Sequence, residues 1–179
     1  MIKTRRLNLR KFKKEDIQDF YNIFSKQEVV KYLPFSTLSF QEAEEKLNKI
    51  INKFSDLHQS PMKFILAVET KETKKVIGWA GCGPIPFNQK NTEIFYAFNT
   101  DFWGKGYAFE TAQALLDFLL IDKNLENIYA LVDEDNKGSV NVLKKLNFTY
   151  KSEVQVEDKE FNFFEGLSLY KFKDNEREV

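Results

Sequence analysis

The chain has 179 residues, 42% apolar and 30% charged, including 18 Phe, which fits one soluble globular domain over residues 1–179 with a proper core. Lys plus Arg equals Asp plus Glu at 27 each, so no global basic field recruits nucleic acid or anionic membrane. No apolar run approaches about 18 residues and the start lacks an apolar secretory core, while the single Cys82 and single His58 exclude an internal disulfide and a Cys/His metal cluster. The expectation is a cytoplasmic protein with no metal, and any charged partner has to be met locally.

In chain order, residues 5–12 alternate, with Leu7, Leu9 and Phe12 against Arg6, Asn8 and Arg10, which predicts a first strand. Ile17, Phe20, Tyr21 and Phe24 then recur at helical spacing and predict a helix over 14–25. Residues 29–38 are irregular and aromatic, reading either as core packing or as a pocket wall. Ser39-Phe40-Gln41-Glu42 is a capping box, and Leu47, Ile50, Ile51 and Phe54 continue as one stripe, so a second helix starts there. His58 reads as a surface residue of the loop beyond. The period then changes: residues 63–68 and 76–82, joined by a charged turn, form a β-hairpin that Pro84 and Pro86 end, and residues 92–99 add an aromatic-rich strand. A helix over 110–120 buries Ala112, Leu115, Leu116 and Leu119. A short strand over 128–132, a helix over 139–146 and two closing strands from Phe148 to Tyr170 complete the order βααβββαβαββ, a mixed α/β (α+β) sheet. The tail from Lys173 is polar and expected to fray.

Between the aromatic strand and the third helix lies Trp103-Gly104-Lys105-Gly106-Tyr107-Ala108. Two glycines around a lysine make an open turn, and a turn that starts a helix aims unpaired N–H groups and the positive helix end at one point, where phosphate binds. The P-loop pattern fails because Gly106 follows Gly104-Lys105, and the Rossmann pattern fails because Phe109 stands where its third glycine belongs. A lone GxG also fits an ordinary loop, so a second motif has to decide. About 30 residues on, Asn136-Lys137-Gly138-Ser139-Val140-Asn141-Val142-Leu143-Lys144-Lys145-Leu146-Asn147-Phe148 follows a strand and opens a helix.

Together, WGKGYA and NxxSxxVLxKLxF, placed after the strand Glu93-Ile94-Phe95-Tyr96, resemble the GNAT superfamily of N-acetyltransferases, in particular its RimJ/RimL-like branch, from about residue 4 to 170. The resemblance implies a central mixed, mostly antiparallel sheet with two splayed parallel strands, flanked by helices. It also implies acetyl-CoA as cosubstrate, with its pyrophosphate held by the backbone of Trp103, Gly104, Lys105, Gly106, Tyr107 and Ala108. Lys105 adds charge there, and Trp103 replaces the Gln or Arg of the usual pattern. The pantetheine arm pairs with the strand before the loop, and an amide near Ala97 or Phe98 polarises the thioester carbonyl. Asn136, Ser139 and Asn141 match residues that contact the cofactor, Asn136 also reading as a helix cap.

Attack of a neutral amine on the thioester requires a base for the amine proton and an acid for the leaving thiolate. The tyrosine that many members carry in the second-motif helix is Leu143 here, so the resemblance leaves that role vacant and points instead to Ser139, a residue that also suits a helix cap. Asp158 in the late hairpin matches the branch's carboxylate, with Glu157 and Glu160 beside it, and Glu93 is the other candidate base. Glu110 is expected to favour the helix dipole or order the loop, and Cys82 to be structural. Three readings stand: acetylation of a protein N-terminus, as in the branch's ribosomal-protein members; acetylation of a small amine such as an amino acid, polyamine or antibiotic; and a noncatalytic acetyl-CoA-binding module. Aromatic edge strands suit either a monomer or a homodimer.

Overall fold

In a computed structural model that describes residues 1–53, 63–122, 125 and 127–173, the N-terminal alternation forms one strand, and a short strand outside it precedes it. β1 (Ile2–Lys3) turns at Thr4 and pairs back on β2 (Leu7–Arg10), whose Leu7 and Leu9 are fully buried. A single 3-10 turn (Lys14–Asp16) leads into α1 (Ile17–Phe24), which buries Phe20, Ile23 and Phe24. Arg10 forks onto Asp16 at 2.7 and 2.8 Å and reaches Glu69 at 2.7 Å, fixing the start of that helix to the sheet. The irregular segment packs in the core: it contains a short helix α2 (Gln27–Val30) with Val29 and Val30 buried, and Phe35 stacks between Phe24 and Trp79. α3 (Phe40–Asn52) begins at the capping box, where the Ser39 N–H donates to Glu42 at 2.8 Å and the Glu42 N–H donates to Ser39 Oγ. Phe54 and His58 lie outside the described residues, as does the tail beyond Lys173.

Next come β3 (Phe64–Thr70), β4 (Val76–Ile85) and β5 (Asn88–Phe98). Here the structure departs from the sequence reading. Pro84 does not end β4 but pairs with Thr92, with a register shift right after it, an arrangement proline tolerates at a bulge. The turn is Pro86-Phe87, and β5 starts four residues earlier than residue 92. After β5 come α4 (Tyr107–Asp117), extended by a π-turn at Phe118–Asp122, then β6 (Ile128–Val132), α5 (Lys137–Lys145), β7 (Phe148–Glu153), a 3-10 turn (Lys159–Phe164) and β8 (Ser168–Phe172).

The eight strands form one sheet in the order β1-β2-β3-β4-β5-β6-β8-β7, antiparallel except for β5 beside β6. This is the mixed, mostly antiparallel architecture expected. One face, from Leu7 and Leu9 across to Tyr170, packs on Ala112, Leu115, Leu116 and Leu119 of α4 and on Val140 and Leu143 of α5. The other packs Ala67, Trp79 and Ala97 against Phe20, Phe24, Ala43 and Leu47 of α1 and α3. Among the described residues no helix is long and apolar enough to cross a membrane.

Candidate active site

The sheet opens where β5 meets β6. Their shared register is limited to Thr92 opposite Ile128 and Glu93 opposite Tyr129. Beyond it Ile94–Phe98 and Ala130–Val132 diverge with no partner across the gap among the described residues, while β4 and β8 hold their outer edges. Alternation decides which groups line the gap. The Thr92 N–H donates toward β6, to Asn127, and the Asn99 N–H donates toward β4, to Ile77. The even-numbered amides, including those of Tyr96 and Phe98, therefore face the gap, and that of Ala97 faces β4. Of the two amides named from sequence, Phe98 is the one on the open edge.

At the end of β5 the chain turns through Thr100–Phe102 into the glycine loop. Gly104 and Gly106 have φ of +72° and +76°, a region that costs side-chain-bearing residues about 1–2 kcal/mol. A Cβ on Gly104 would meet nothing within 4 Å, and one on Gly106 would meet only Arg6 at 3.5 Å, so the glycines serve the backbone shape and leave the loop open to a ligand. Gly106 caps α4 with no side chain of its own, and the first helical bond runs from Glu110 to Gly106, which leaves the amides of Tyr107, Ala108 and Phe109 aimed outward at the positive helix end.

Trp103, Lys105 and the Glu110–Arg6 pair hold this shape. Trp103 is half-exposed, and its indole N–H donates to the Phe98 carbonyl at 2.7 Å, bracing the loop against the end of β5. Lys105 turns its ammonium back to the Asp101 carbonyl at 2.9 Å. Glu110 accepts from the Thr4 hydroxyl at 2.6 Å, from the Arg6 amide at 2.8 Å and from Arg6 Nε at 2.6 Å, while Arg6 Nη1 donates to the Lys105 carbonyl at 2.9 Å and the guanidinium covers the Tyr107 ring. Glu110 thus orders the loop through Arg6, a partner about a hundred residues away that no local pattern announces. Burial raises the Glu110 carboxyl, but the bonds from Thr4 and Arg6 outweigh it and hold the group below its ordinary range.

Across the gap, α5 starts at Lys137, two residues earlier than residue 139. Asn136 is its cap, accepting from the Ser139 amide at 3.2 Å. Ser139 therefore sits inside the first turn, half-buried and relieved of capping, while Asn141 is exposed on the next turn. Tyr170 donates to Glu134 at 2.9 Å and ties the loop before α5 to β8.

The two candidate bases differ sharply. Glu93 lies at the last paired position before the strands part, on the face shared with Ala97 and the α1–α3 helices, enclosed by protein although part of its surface reaches solvent. Burial pushes its carboxyl up to about 8. Asp158 is exposed and caps the 3-10 turn, accepting from the Glu160 amide at 3.0 Å, and Glu157 and Glu160 are exposed beside it. In that turn Phe161 and Phe164 meet Phe87 of the β4–β5 turn at 6.3 and 5.5 Å.

An open glycine loop, a set of free helix amides and an unpaired strand edge leading from them suit a long ligand with an anionic middle and an amide-bearing arm, which is what acetyl-CoA offers. A family model described as an acetyltransferase (GNAT) domain matches residues 6–149. The chain belongs to the GNAT acetyltransferase family. It is 34% identical over 145 residues, covering 81% of this chain and 80% of the other, to an uncharacterized N-acetyltransferase p20 of Bacillus licheniformis. It is 22% identical over 154 residues, covering 84% and 77%, to a spermidine N(1)-acetyltransferase of Escherichia coli K12. Among solved structures, a putative ribosomal-protein-serine acetyltransferase from Vibrio cholerae superposes with a TM-score of 0.79 over 97% of both chains at 14% identity.

This GNAT protein is accordingly an acetyl-CoA-dependent N-acetyltransferase, and its parted strands are the site at which the family's splay was expected. Two residues lie outside the candidates that the sequence offers: Arg6, at the glycine loop, reads as the polar side of an alternating strand, and Tyr96, at the gap, as one more aromatic of a buried strand. Parity along β5, which sets Tyr96 on the α4/α5 face with Ile94 and Phe98, was the available signal for the second.

Proposed function

We propose that the enzyme acetylates a protein N-terminal α-amine by direct attack on acetyl-CoA. The observation that carries the reading is Glu93, a carboxyl raised to about 8 beside the parting strands. An α-amine has a reference pKa near 8, against about 10.4 for lysine, and a base takes a proton best from a group it matches. The free amides of Tyr107, Ala108 and Phe109 and the loop Trp103–Ala108 hold the pyrophosphate, Asn136 and Asn141 flank the cofactor's path, and the Phe98 N–H donates to the thioester carbonyl as negative charge develops on its oxygen. Glu93 takes the amine proton as the N–C bond forms. Asp158, spent on capping and open to solvent, is the weaker choice for that role, and the acidic, aromatic-backed turn around it borders the acceptor's approach. On the other face the leaving sulfur needs a proton, and Ser139 brings a hydroxyl to that side where Leu143 offers none.

The reading is tested by acetyl-CoA-dependent thiol release with three acceptors at equal concentration: a peptide with a free N-terminus, the same peptide N-blocked but carrying lysine, and spermidine. It predicts that the free N-terminus is used at least tenfold better than the other two. Turnover of spermidine alone would transfer the assignment to small amines, and binding with no thiol release would make the chain a binding module.

A further inference from the structure

Breaking a thioester leaves a thiolate, and the second-motif helix presents Leu143, which carries no proton to give. On the same face of the sheet a hydroxyl stands unused. Among the described residues three side-chain polar atoms are sealed from solvent without a hydrogen-bond partner: Trp79 Nε1, Tyr96 Oη and Thr111 Oγ1. Trp79 is packed among the rings of Phe20, Phe24, Phe35 and Phe95, and Thr111 faces the core from the middle of α4. Tyr96 differs by position. It lies on the unpaired run of β5, its backbone edge faces the gap, its ring packs on the α4/α5 face, and the Ser139 hydroxyl is near enough to act on the phenol. A buried donor with nothing to donate to is costly. A ligand atom entering the gap from the α5 side removes that cost.

We propose that Tyr96 donates its phenolic proton to the leaving sulfur of coenzyme A, with Ser139 as the hydroxyl through which Tyr96 is reprotonated; this rests on the transfer reading above. The step balances. The N–C bond forms and the C–S bond breaks, the electron pair of the broken bond goes to sulfur, and the amine proton goes to Glu93. The sulfur takes the proton of Tyr96, and Ser139 passes a solvent proton to the phenolate while Glu93 returns its own to solvent. Strand alternation separates the two transfers: Glu93 is on the α1–α3 face and Tyr96 on the α4/α5 face, so base and acid work from opposite sides of the thioester. Burial lifts the phenol to about 12 against a smaller lowering by Ser139, so Tyr96 keeps its proton until a thiolate forms beside it.

The test is Tyr96→Phe, which removes the phenolic oxygen and keeps the ring. A structural role for the ring alone predicts unchanged turnover and a melting temperature equal to wild type or roughly 2–4 °C higher. The proposal predicts that same stability and an acetyl-CoA Kd within about threefold of wild type, but turnover lower by about 100-fold. It also predicts that the thiol of bound coenzyme A, titrated by absorbance against desulfo-coenzyme A, ionises about one pH unit higher in Tyr96→Phe, since the hydrogen bond to the thiolate is gone. Turnover and thiol titration both matching wild type, with binding intact, would overturn the role of Tyr96 and leave the transfer reading standing. Failure of the wild-type protein to bind acetyl-CoA would instead remove both.

Discussion

At the scale of single residues the account turns on where protons sit, and Glu93 is the group whose state burial changes most usefully. Its folded pKa is about 8, raised from 4.5. The rate with an amine acceptor should therefore climb as pH passes through about 8 and Glu93 ionises, and Glu93→Gln should lower kcat by about 100-fold with acetyl-CoA binding retained. The stability effect has the opposite sense. Between 4.5 and about 8 the folded protein holds a proton that the unfolded chain has lost, so stability falls as pH rises across that window. Glu93→Gln removes the penalty, and its melting temperature should gain on wild type progressively from pH 5 to pH 8; a constant difference would refute the buried carboxyl. Residue identities in the second motif were legible because Asn and Ser three apart at a helix start have a small set of uses. Which of them caps was not: Ser139 could cap a helix that starts after it and Asn136 one that starts three residues earlier, and only the packed helix shows that Asn136 is the cap, accepting from the Ser139 amide.

At the scale of elements, the start of α4 is built by one remote clamp. Thr4 and Arg6, from the first hairpin, converge on Glu110, and Arg6 carries the constraint on to the Lys105 carbonyl. Arg6 is partly exposed and the pair is screened, so the clamp contributes modestly to stability but directly to loop geometry. Glu110→Ala should lower the melting temperature by about 2–4 °C and weaken acetyl-CoA binding several-fold, measured by calorimetry on the same sample; a stability loss with unchanged affinity would make the clamp purely structural. Because the folded pKa of Glu110 is depressed, its contribution is complete above the ordinary carboxylate range and is lost as pH falls below it. Element types were readable from periodicity nearly throughout, since amphipathic stripes such as Phe20 and Phe24 have few other uses. The extension of β4 through Pro84 was not, because proline as a stop signal was overridden by a bulge and by pairing with Thr92. Nor was the 3-10 turn at Lys159–Phe164, whose Phe161 and Phe164 pack on Phe87 of the β4–β5 turn, a contact that local pattern does not reveal.

For the molecule as a whole, the consequential feature is that the sheet parts where β5 leaves β6. β4 and β8 grip the outer edges of β5 and β6, the two helical faces seal either side, and the parallel pair is left to part after two residues. Local sequence cannot declare this, since the strand segments that separate are as apolar and aromatic as those that pair. The motif resemblance supplied it, and the register places it between Glu93 and Phe98. Substrate passage through this gap, with its anionic end on the loop of Gly104 and Gly106, is the central claim. It is tested most directly by titrating acetyl-CoA into the wild-type protein and into Gly104→Val/Gly106→Val, with circular dichroism to show that both are folded. The account predicts a wild-type Kd in the range of about 1–100 μM and a loss of at least about 30-fold in the variant, because β-branched residues cannot hold a φ near +70° without strain. Wild-type protein that fails to bind acetyl-CoA, or a folded variant that binds as tightly as wild type, would contradict it.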